Sequence, residues 1–449
     1  MKLKTSKYNL FVAKEQKSIL LNTYSGSAIQ LGNKELLKLK EILEEIDQFG
    51  ETTREKQKIA KFLLEQGFLV PFNKDELKHV LNYYNDTRKD TSRLSLLITP
   101  TLKCNMKCHY CYQDRDNNNN LNINEDIDAI VRFADEKLES SGKLHINWFG
   151  GEPLYDKNFV YNASTALMNL ANSRNAEYSA SMVSNAYLLD DSTISELKKY
   201  KVKLIQITFD GSQDQHDKVR RHLNPVTNRR EGSFFTIIKN IKNAATFFDI
   251  ILRVNVTQYN LNSINTLIEE LACEGLAEKG VQIYFSPVYS YNTTNANVDY
   301  TPNKKTHLTV QNFSELESQW LYSAKEKGFK IRDPFQFGTS GCSAVQKNSY
   351  VIESNGQVKK CTNEIGKPGT DFTSITSPEN VDTHNLDIWE NYQPEKECKS
   401  CAFLPICYSH CPHRNMYSPE EKPDKCPSFK YNWQNTLPLF LQQKRDLSV

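Results

Sequence analysis

No cysteine precedes position 104 in this chain of 449 residues, although eleven lie from there onward. No apolar run is long enough to span a bilayer. The opening stretch MKLKTSKYNLFVAKEQKSILL has lysines but no uninterrupted apolar segment and no small-residue cleavage site. No signal peptide is read there, and a cytoplasmic location is expected. An excess of charge is also missing: 56 Lys and Arg face 54 Asp and Glu, a formal net charge of +2. That balance gives no reason to expect nucleic acid or a membrane surface as partner. In a reducing compartment, an odd and clustered set of thiols points to metal rather than to disulfides.

What is present falls into three blocks. Residues 1–92 contain strand-like runs, YNLFVAK and SILLNTY, with SGS in the next turn, and apolar residues at helical spacing in KELLKLKEILEEI and EKQKIAKFLLEQ. GFLVPF reads as a returning strand, so a small sheet with two or three helices is expected. An exposed strand edge there could receive a peptide; a plain packing domain is the alternative. Residues 93–330 alternate six β-rich runs, from LSLLITP to VQIYFSPV, with helical patterns, from IDAIVRFADEKL to FSELESQWLYSAKEK. This predicts a parallel sheet with crossover helices and chemistry at the carboxyl ends of its strands. Residues 331–449 show little periodicity and many Cys, Pro and Gly, as in a loop-rich region held by metal. The polar tract NNNNLNIN, 117–124, reads as a solvated loop, and Cys273, within a helical pattern, as a small buried side chain.

Cys104, Cys108 and Cys111 lie just past the first strand of the middle block. Three thiolates leave one iron of a four-iron cubane without a protein ligand, since such clusters are usually held by four cysteines. A closed zinc site would need a fourth protein ligand, which His109 could supply.

Cys104-x3-Cys108-x2-Cys111, with Tyr110 before the last cysteine, resembles the motif of the radical S-adenosylmethionine (SAM) superfamily. The resemblance implies a [4Fe-4S] cluster whose open iron takes the amino and carboxylate groups of SAM. Reductive cleavage then gives methionine and a 5′-deoxyadenosyl radical that abstracts a substrate hydrogen. Gly150-Gly151-Glu152-Pro153 resembles the family segment that contacts the SAM amino group. Glycines permit close backbone approach and a carboxylate can accept from an ammonium, though a plain turn would also explain GGEP. Ser184-Asn185 ends the third strand, where the family places contacts to the ribose or carboxylate of SAM; Ser-Asn is also a common turn pair. ITFDGSQDQHDKVR, 207–220, resembles a stretch of the peptide-modifying branch, in which an Arg like Arg220 binds the SAM carboxylate. For Asp210, His216 and Asp217 a structural turn stays open. Arg253 and Asn255 share one face of the fifth strand by its period of two.

The late thiols, Cys342, Cys361, Cys398, Cys401, Cys407, Cys411 and Cys426, resemble the seven-cysteine pattern of the SPASM domain; a pair of zinc sites is the alternative. By that resemblance Cys398, Cys401, Cys407 and Cys426 hold an outer auxiliary iron–sulfur cluster, and Cys342, Cys361 and Cys411 an inner one. FQFGTSG, before Cys342, lacks the further thiol that some relatives carry. The inner cluster is left with an open iron, a non-cysteine ligand or a smaller nuclearity.

The fold implied is α/β: a partial (β/α)6 radical SAM barrel at 93–330 between a small winged-helix-like α+β domain at 1–92 and a cysteine-rich SPASM domain at 331–449. The domain order resembles maturases of ribosomally made peptides, in which the first domain recognises the leader peptide. The implied partners are a precursor peptide and an external electron donor of flavodoxin or ferredoxin type. The implied reaction is oxidative, a thioether or carbon–carbon cross-link, because auxiliary clusters suit a substrate radical that must lose an electron. An anaerobic sulfatase-maturing enzyme is the second possibility. Against it stand the long first block and Thr362, where those enzymes have an acidic residue after the cysteine matching Cys361. A noncatalytic iron–sulfur protein is the third. No catalytic base is assignable.

Overall fold

The computed structural model describes residues 2–14, 17–111, 113, 121, 126–224, 226–288, 308–335, 341–417 and 425–446. Of the 117–124 tract only Leu121 falls within them, as do only the ends of FQFGTSG, Phe335 and Gly341.

The first block holds β1 (Leu3–Thr5), β2 (Asn9–Lys14), β3 (Lys17–Asn22), β4 (Ala28–Leu31), α1 (Asn33–Phe49), α2 (Gln57–Glu65), β5 (Leu69–Pro71) and α3 (Glu76–Lys89). β2, β3 and β4 form an antiparallel meander, whereas β5 pairs with β1 outside it. Leu39, Ile42, Leu43 and Ile46 recur at helical spacing along α1 and pack with Leu63 of α2 and Leu20 of β3. α3 turns Val80 and Tyr84 to a different core, shared with Trp389, Tyr392 and Tyr408 of the last block. Tyr84 stacks on Tyr408 with ring centres 4.9 Å apart.

The middle block runs β6 (Arg93–Ile98), α4 (Asp126–Lys137), β7 (Lys143–Trp148), α5 (Lys157–Ser173), β8 (Glu177–Ser184), α6 (Asp191–Lys199), β9 (Val202–Phe209) and α7 (Gln213–Val219). A short hairpin, β10 (His222–Leu223) and β11 (Arg230–Glu231), precedes α8 (Phe234–Ala244), β12 (Asp249–Val256), α9 (Ile264–Cys273), β13 (Gln282–Pro287) and α10 (Val310–Glu326). The six long strands lie side by side in chain order, all parallel. Their period of two buries Leu94, Leu96 and Ile98, Leu144, Ile146 and Trp148, and Ile250, Leu252 and Val254 in the main core. The opposite face carries the half-buried polar side chains Ser95, His145, Ser181, Gln206 and Arg253. The result is a partial (β/α)6 barrel with a polar interior. Among the described residues no helix is long and apolar enough to cross a membrane.

The sheet does not stop at the barrel. β14 (Lys330–Ile331) continues it parallel to β13. At the other edge β15 (Ser349–Ile352) pairs parallel with β6, and β16 (Gln357–Lys359) and β17 (Thr373–Ser374) follow antiparallel. The last block is thus an extension of the same ten-stranded sheet. It continues with α11 (Thr383–Glu390), α12 (Leu404–Cys407), α13 (Pro412–Tyr417) and α14 (Phe429–Asp446). The 18-residue α14 corrects the expectation of a region with little periodicity. Pro438 inside it and its many polar residues mask the apolar set Leu437, Leu439 and Phe440. α14 returns to α10, where Asn432 Nδ2 donates to Ser314 O and Glu317 Oε2, each at 2.9 Å.

Cys273 is exposed, contrary to the expectation of a buried thiol. α9 buries Ile264, Leu267, Ile268 and Leu271, and position 273 turns away from that stripe.

Glu317 lines a cavity of about 230 Å³ between β13, α10 and α14. Burial pushes its carboxyl up to about 7, against lowering hydrogen bonds from Ser428 and Asn432. An acid raised in the folded state contributes stability below its unfolded value of 4.5 and loses it as pH rises through about 7. The melting temperature of Glu317→Gln is therefore expected to fall less than that of the unaltered chain across this window. Parallel melting curves against pH would contradict the assignment.

Candidate active site

The site lies at the carboxyl ends of the barrel strands. Past β6 the chain turns through Thr101, whose Oγ1 accepts Lys103 N at 3.0 Å, into the three-thiol loop. Cys111 N donates to Cys108 O at 3.3 Å, folding the loop on itself. The Cys104 sulfur receives two N–H groups, from Met106 N at 3.4 Å and from Asn185 Nδ2 at 3.7 Å. Donors aimed at a sulfur favour the thiolate, the form that binds metal.

The two glycines after β7 let the next turn lie directly on this loop. A Cβ on Gly150, at φ +121°, would stand 2.6 Å from Thr101 O; one on Gly151 would stand 2.3 Å from both Leu102 O and Lys103 O. Gly151 N donates to Thr101 O at 3.1 Å and Glu152 N to Lys103 O at 3.0 Å. The close approach these glycines permit is therefore to the thiol loop. Gly151→Ala is expected to cost about 1–3 kcal/mol, because backbone carbonyls must move to admit the methyl. An unchanged denaturation midpoint would refute this packing.

Glu152 is fully buried. Its carboxylate accepts from Ser184 Oγ at 2.8 Å, Asn185 N at 2.7 Å and Leu154 N at 3.1 Å. Burial pushes it up to about 7 although those hydrogen bonds pull it down. Glu152 and Ser184 thus bind β7 to β8 from within, and Pro153 opens the short turn that follows, itself buried. The Asn185 side chain faces the site: besides Cys104, its Nδ2 reaches Asn105 Oδ1 at 2.7 Å.

Across the mouth, Tyr110 is the hub of a buried network. Its hydroxyl lies 2.7 Å from both Asp210 carboxylate oxygens and accepts from Arg220 Nη2 at 2.9 Å and Asn255 Nδ2 at 3.0 Å. Arg220 Nε also donates to Asp210. Burial holds the Tyr110 hydroxyl protonated, well above the usual range. Arg253 extends the network, donating from Nε to Asn255 Oδ1 and from Nη2 to Ser286 Oγ, each at 2.8 Å. Arg253 and Asn255 do share one face, the barrel interior. His216 and Asp217 stay outside the site. His216 is buried against Ser233 Oγ at 3.1 Å, and Asp217 Oδ1 accepts Ser233 N and Phe234 N at the start of α8.

The late thiols separate into two groups. Cys398, Cys401, Cys407 and Cys426 line one cavity of about 220 Å³, with Lys430 Nζ 3.2 Å from the Cys426 sulfur. Burial pushes the Cys407 thiol up to about 12, and Cys398, Cys426 and Cys401 add to it. Cys342, Cys361 and Cys411 form the second group: burial raises Cys342 to about 11, with Cys411 adding to it, and Cys361 feels both of the others. Thiols packed this way resist deprotonation unless a metal compensates their charge. Tyr408, Ser409 and His410, between Cys407 and Cys411, all adopt left-handed backbone, with φ of 44°, 68° and 59°. Such conformations cost roughly 1–2 kcal/mol per residue, and here they join the two groups. Among the described residues no three His, Cys, Asp or Glu side chains are placed to hold a single metal ion. A cubane makes no such demand, because each thiolate binds a separate iron.

Three neighbours of the site carry no local sequence signal. Asn105 Nδ2 lies 3.4 Å from His222 Nδ1, and the His222 ring stacks on Tyr187 at 3.9 Å. His145, inside the barrel, sits between Ser179 Oγ and Ser181 Oγ at 2.9 Å each.

Residues 98–271 match the model of the radical SAM superfamily, a span that includes the three-thiol loop, GGEP, Ser184-Asn185 and Arg220. The barrel segment of the chain is thus similar to the radical SAM domain. It is similar to the cysteine-type anaerobic sulfatase-maturating enzyme of Clostridium perfringens strain 13, 22% identical over 383 residues, covering 78% of this chain and 97% of that one. An uncharacterized protein of Methanocaldococcus jannaschii, MJ0907, is 27% identical over 116 residues, 26% of this chain and 38% of that protein. Among solved structures, native anSMEcpe with bound AdoMet and the Cp18Cys peptide has a TM-score of 0.60 at 18% identity, covering 79% of this chain and 99% of that one. The partial barrel and its sheet extension are therefore a known fold.

Proposed function

We propose that the chain modifies a ribosomally made precursor peptide oxidatively, forming an intramolecular thioether or carbon–carbon cross-link. The observation that carries this reading is the segregation of ten thiols into three groups, one in the loop after β6 and two in the last block. Cys104, Cys108 and Cys111 would hold the SAM-binding [4Fe-4S] cluster. Cys398, Cys401, Cys407 and Cys426 would hold the outer auxiliary cluster, and Cys342, Cys361 and Cys411 the inner one. Bound together, the first cluster and SAM supply a one-electron cleavage that yields a hydrogen-abstracting radical. The chain's own residues position that chemistry. Gly150, Gly151, Glu152, Pro153 and Ser184 hold the thiol loop, Asn185 donates to Cys104, and Tyr110 with Arg220 closes the far side. The half-buried polar interior, His145, Ser181, Gln206 and Arg253, suits a backbone-rich substrate better than an apolar one.

Residues 1–92 would dock the leader, since among the described residues β2 and β4 pair with β3 alone and each leaves an edge for an added strand. Residues 93–330 would form the catalytic barrel and 331–449 the auxiliary-cluster domain, working in the cytoplasm with a flavodoxin- or ferredoxin-type donor. A sulfatase-maturing activity is the second reading, favoured by the Clostridium perfringens relative, 97% of whose length is matched. Thr362 after Cys361 counts against it. Incubating the reconstituted enzyme with SAM, reductant and a cognate precursor is expected to give a peptide lighter by hydrogen. An unchanged precursor beside a sulfatase-motif peptide converted to formylglycine would replace the first reading with the second.

A further inference from the structure

The inner thiol group has three members, and a cubane has four corners. A fourth donor would have to be buried beside Cys361, lack a partner of its own, and be acceptable to iron. Among the described residues Glu364 meets these conditions, through one carboxylate oxygen. The single turn Thr362–Glu364 starts at Cys361, and Glu364 N donates to Cys361 O at 3.1 Å. The Glu364 side chain is 1% exposed, yet its buried Oε2 accepts no hydrogen bond. An unpaired buried carboxylate is costly unless something else binds it.

Lys359 and Lys367 act on the Glu364 carboxyl through their charge and Cys361 N–H donates to it, yet none of them hydrogen-bonds Oε2. Lys359 Nζ meets Glu353 Oε1 at 3.1 Å, Glu364 O at 2.9 Å and Lys367 O, which occupies its three N–H groups. The other buried candidate, His413, is accounted for by packing between Trp389, at 6.1 Å, and Tyr417, at 4.7 Å.

We propose that the Glu364 carboxylate is the fourth ligand of the cluster held by Cys342, Cys361 and Cys411. This rests on the cluster assignment above and deepens it. With every corner filled by the protein, the inner cluster has no iron left for a substrate side chain, so the peptide is anchored elsewhere, in the barrel interior.

The test compares anaerobically reconstituted full-length protein with Glu364→Gln, Glu364→Cys and Cys342→Ala. Iron per chain and the Mössbauer and electron paramagnetic resonance spectra are read without added peptide. Glu364→Gln is expected to lose about one iron per chain and to show a three-iron signal, three thiolates remaining. Glu364→Cys is expected to restore the full iron count, and Cys342→Ala to lose the inner cluster altogether. Circular dichroism matching the unaltered chain separates ligand loss from misfolding. If Glu364→Gln keeps both the iron count and the spectra of the unaltered protein, the carboxylate is no ligand and the proposal fails alone. If the unaltered chain takes up no iron, the cluster assignment fails with it.

Discussion

Asp210→Ala is expected to destabilise the folded chain by about 3–5 kcal/mol, since it leaves the Arg220 guanidinium buried and unpaired. Asp210 is 1% exposed and Arg220 8%. Arg220 donates to Asp210 and to the Tyr110 hydroxyl, and Tyr110 lies next to Cys111 in the thiol loop. The loss should therefore extend beyond global stability to the seating of that loop, and SAM binding should weaken with it. A variant that removes both charges, Asp210→Asn with Arg220→Met, separates the two effects. It is expected to recover much of the stability, because a buried pair replaced as a unit costs far less than a broken one. It should not recover SAM binding if Arg220 contacts the cofactor. Equilibrium unfolding and SAM titration measure the two quantities. An Asp210→Ala variant as stable as the unaltered chain would show that the network contributes little.

Cys407→Ala should abolish the oxidised peptide product while leaving SAM cleavage measurable. Cys407 lines the four-thiol cavity with Cys398, Cys401 and Cys426, away from Cys104, Cys108 and Cys111. Removing one of four ligands is expected to release that cluster, about a third of the bound iron if all three groups carry four-iron clusters. The barrel-mouth thiols keep their own hydrogen bonds from Met106 and Asn185, so 5′-deoxyadenosine should still form. Iron analysis, a deoxyadenosine assay and peptide mass spectrometry on one preparation read all three effects. Product formed at an undiminished rate would remove the outer cluster from the reaction.

The strand and helix rhythm of 93–330 was legible because each element carries its own period, such as Leu94, Leu96 and Ile98 on β6 or Ile264, Leu267, Ile268 and Leu271 on α9. The thiol motifs were legible because spacing is a local property. What escaped depends on contacts distant in sequence. Glu152 looked free to meet an ammonium, but Ser184 and Asn185, more than thirty positions on, take up its carboxylate. The glycines of GGEP looked as though they faced a ligand, and they face carbonyls 101–103 instead. The pairing of β15 with β6 joins positions some 250 residues apart, so no window of sequence contains it. Glu364 is marked by nothing local: its neighbours Thr362 and Asn363 are unremarkable polar residues, and only burial shows that its oxygen lacks a partner.

Cys104, Cys108 and Cys111 are proposed to hold a SAM-cleaving cluster and the other thiol groups two more. Anaerobic reconstitution with iron and sulfide, followed by SAM and a strong reductant, is the decisive experiment, with iron per chain and 5′-deoxyadenosine as the readouts. About twelve irons per chain and steady deoxyadenosine formation are expected. Replacing the three barrel-mouth cysteines by alanine should abolish the deoxyadenosine and leave about two thirds of the iron. Deoxyadenosine formed undiminished by that triple variant, or a chain that binds zinc and no iron, would contradict that assignment.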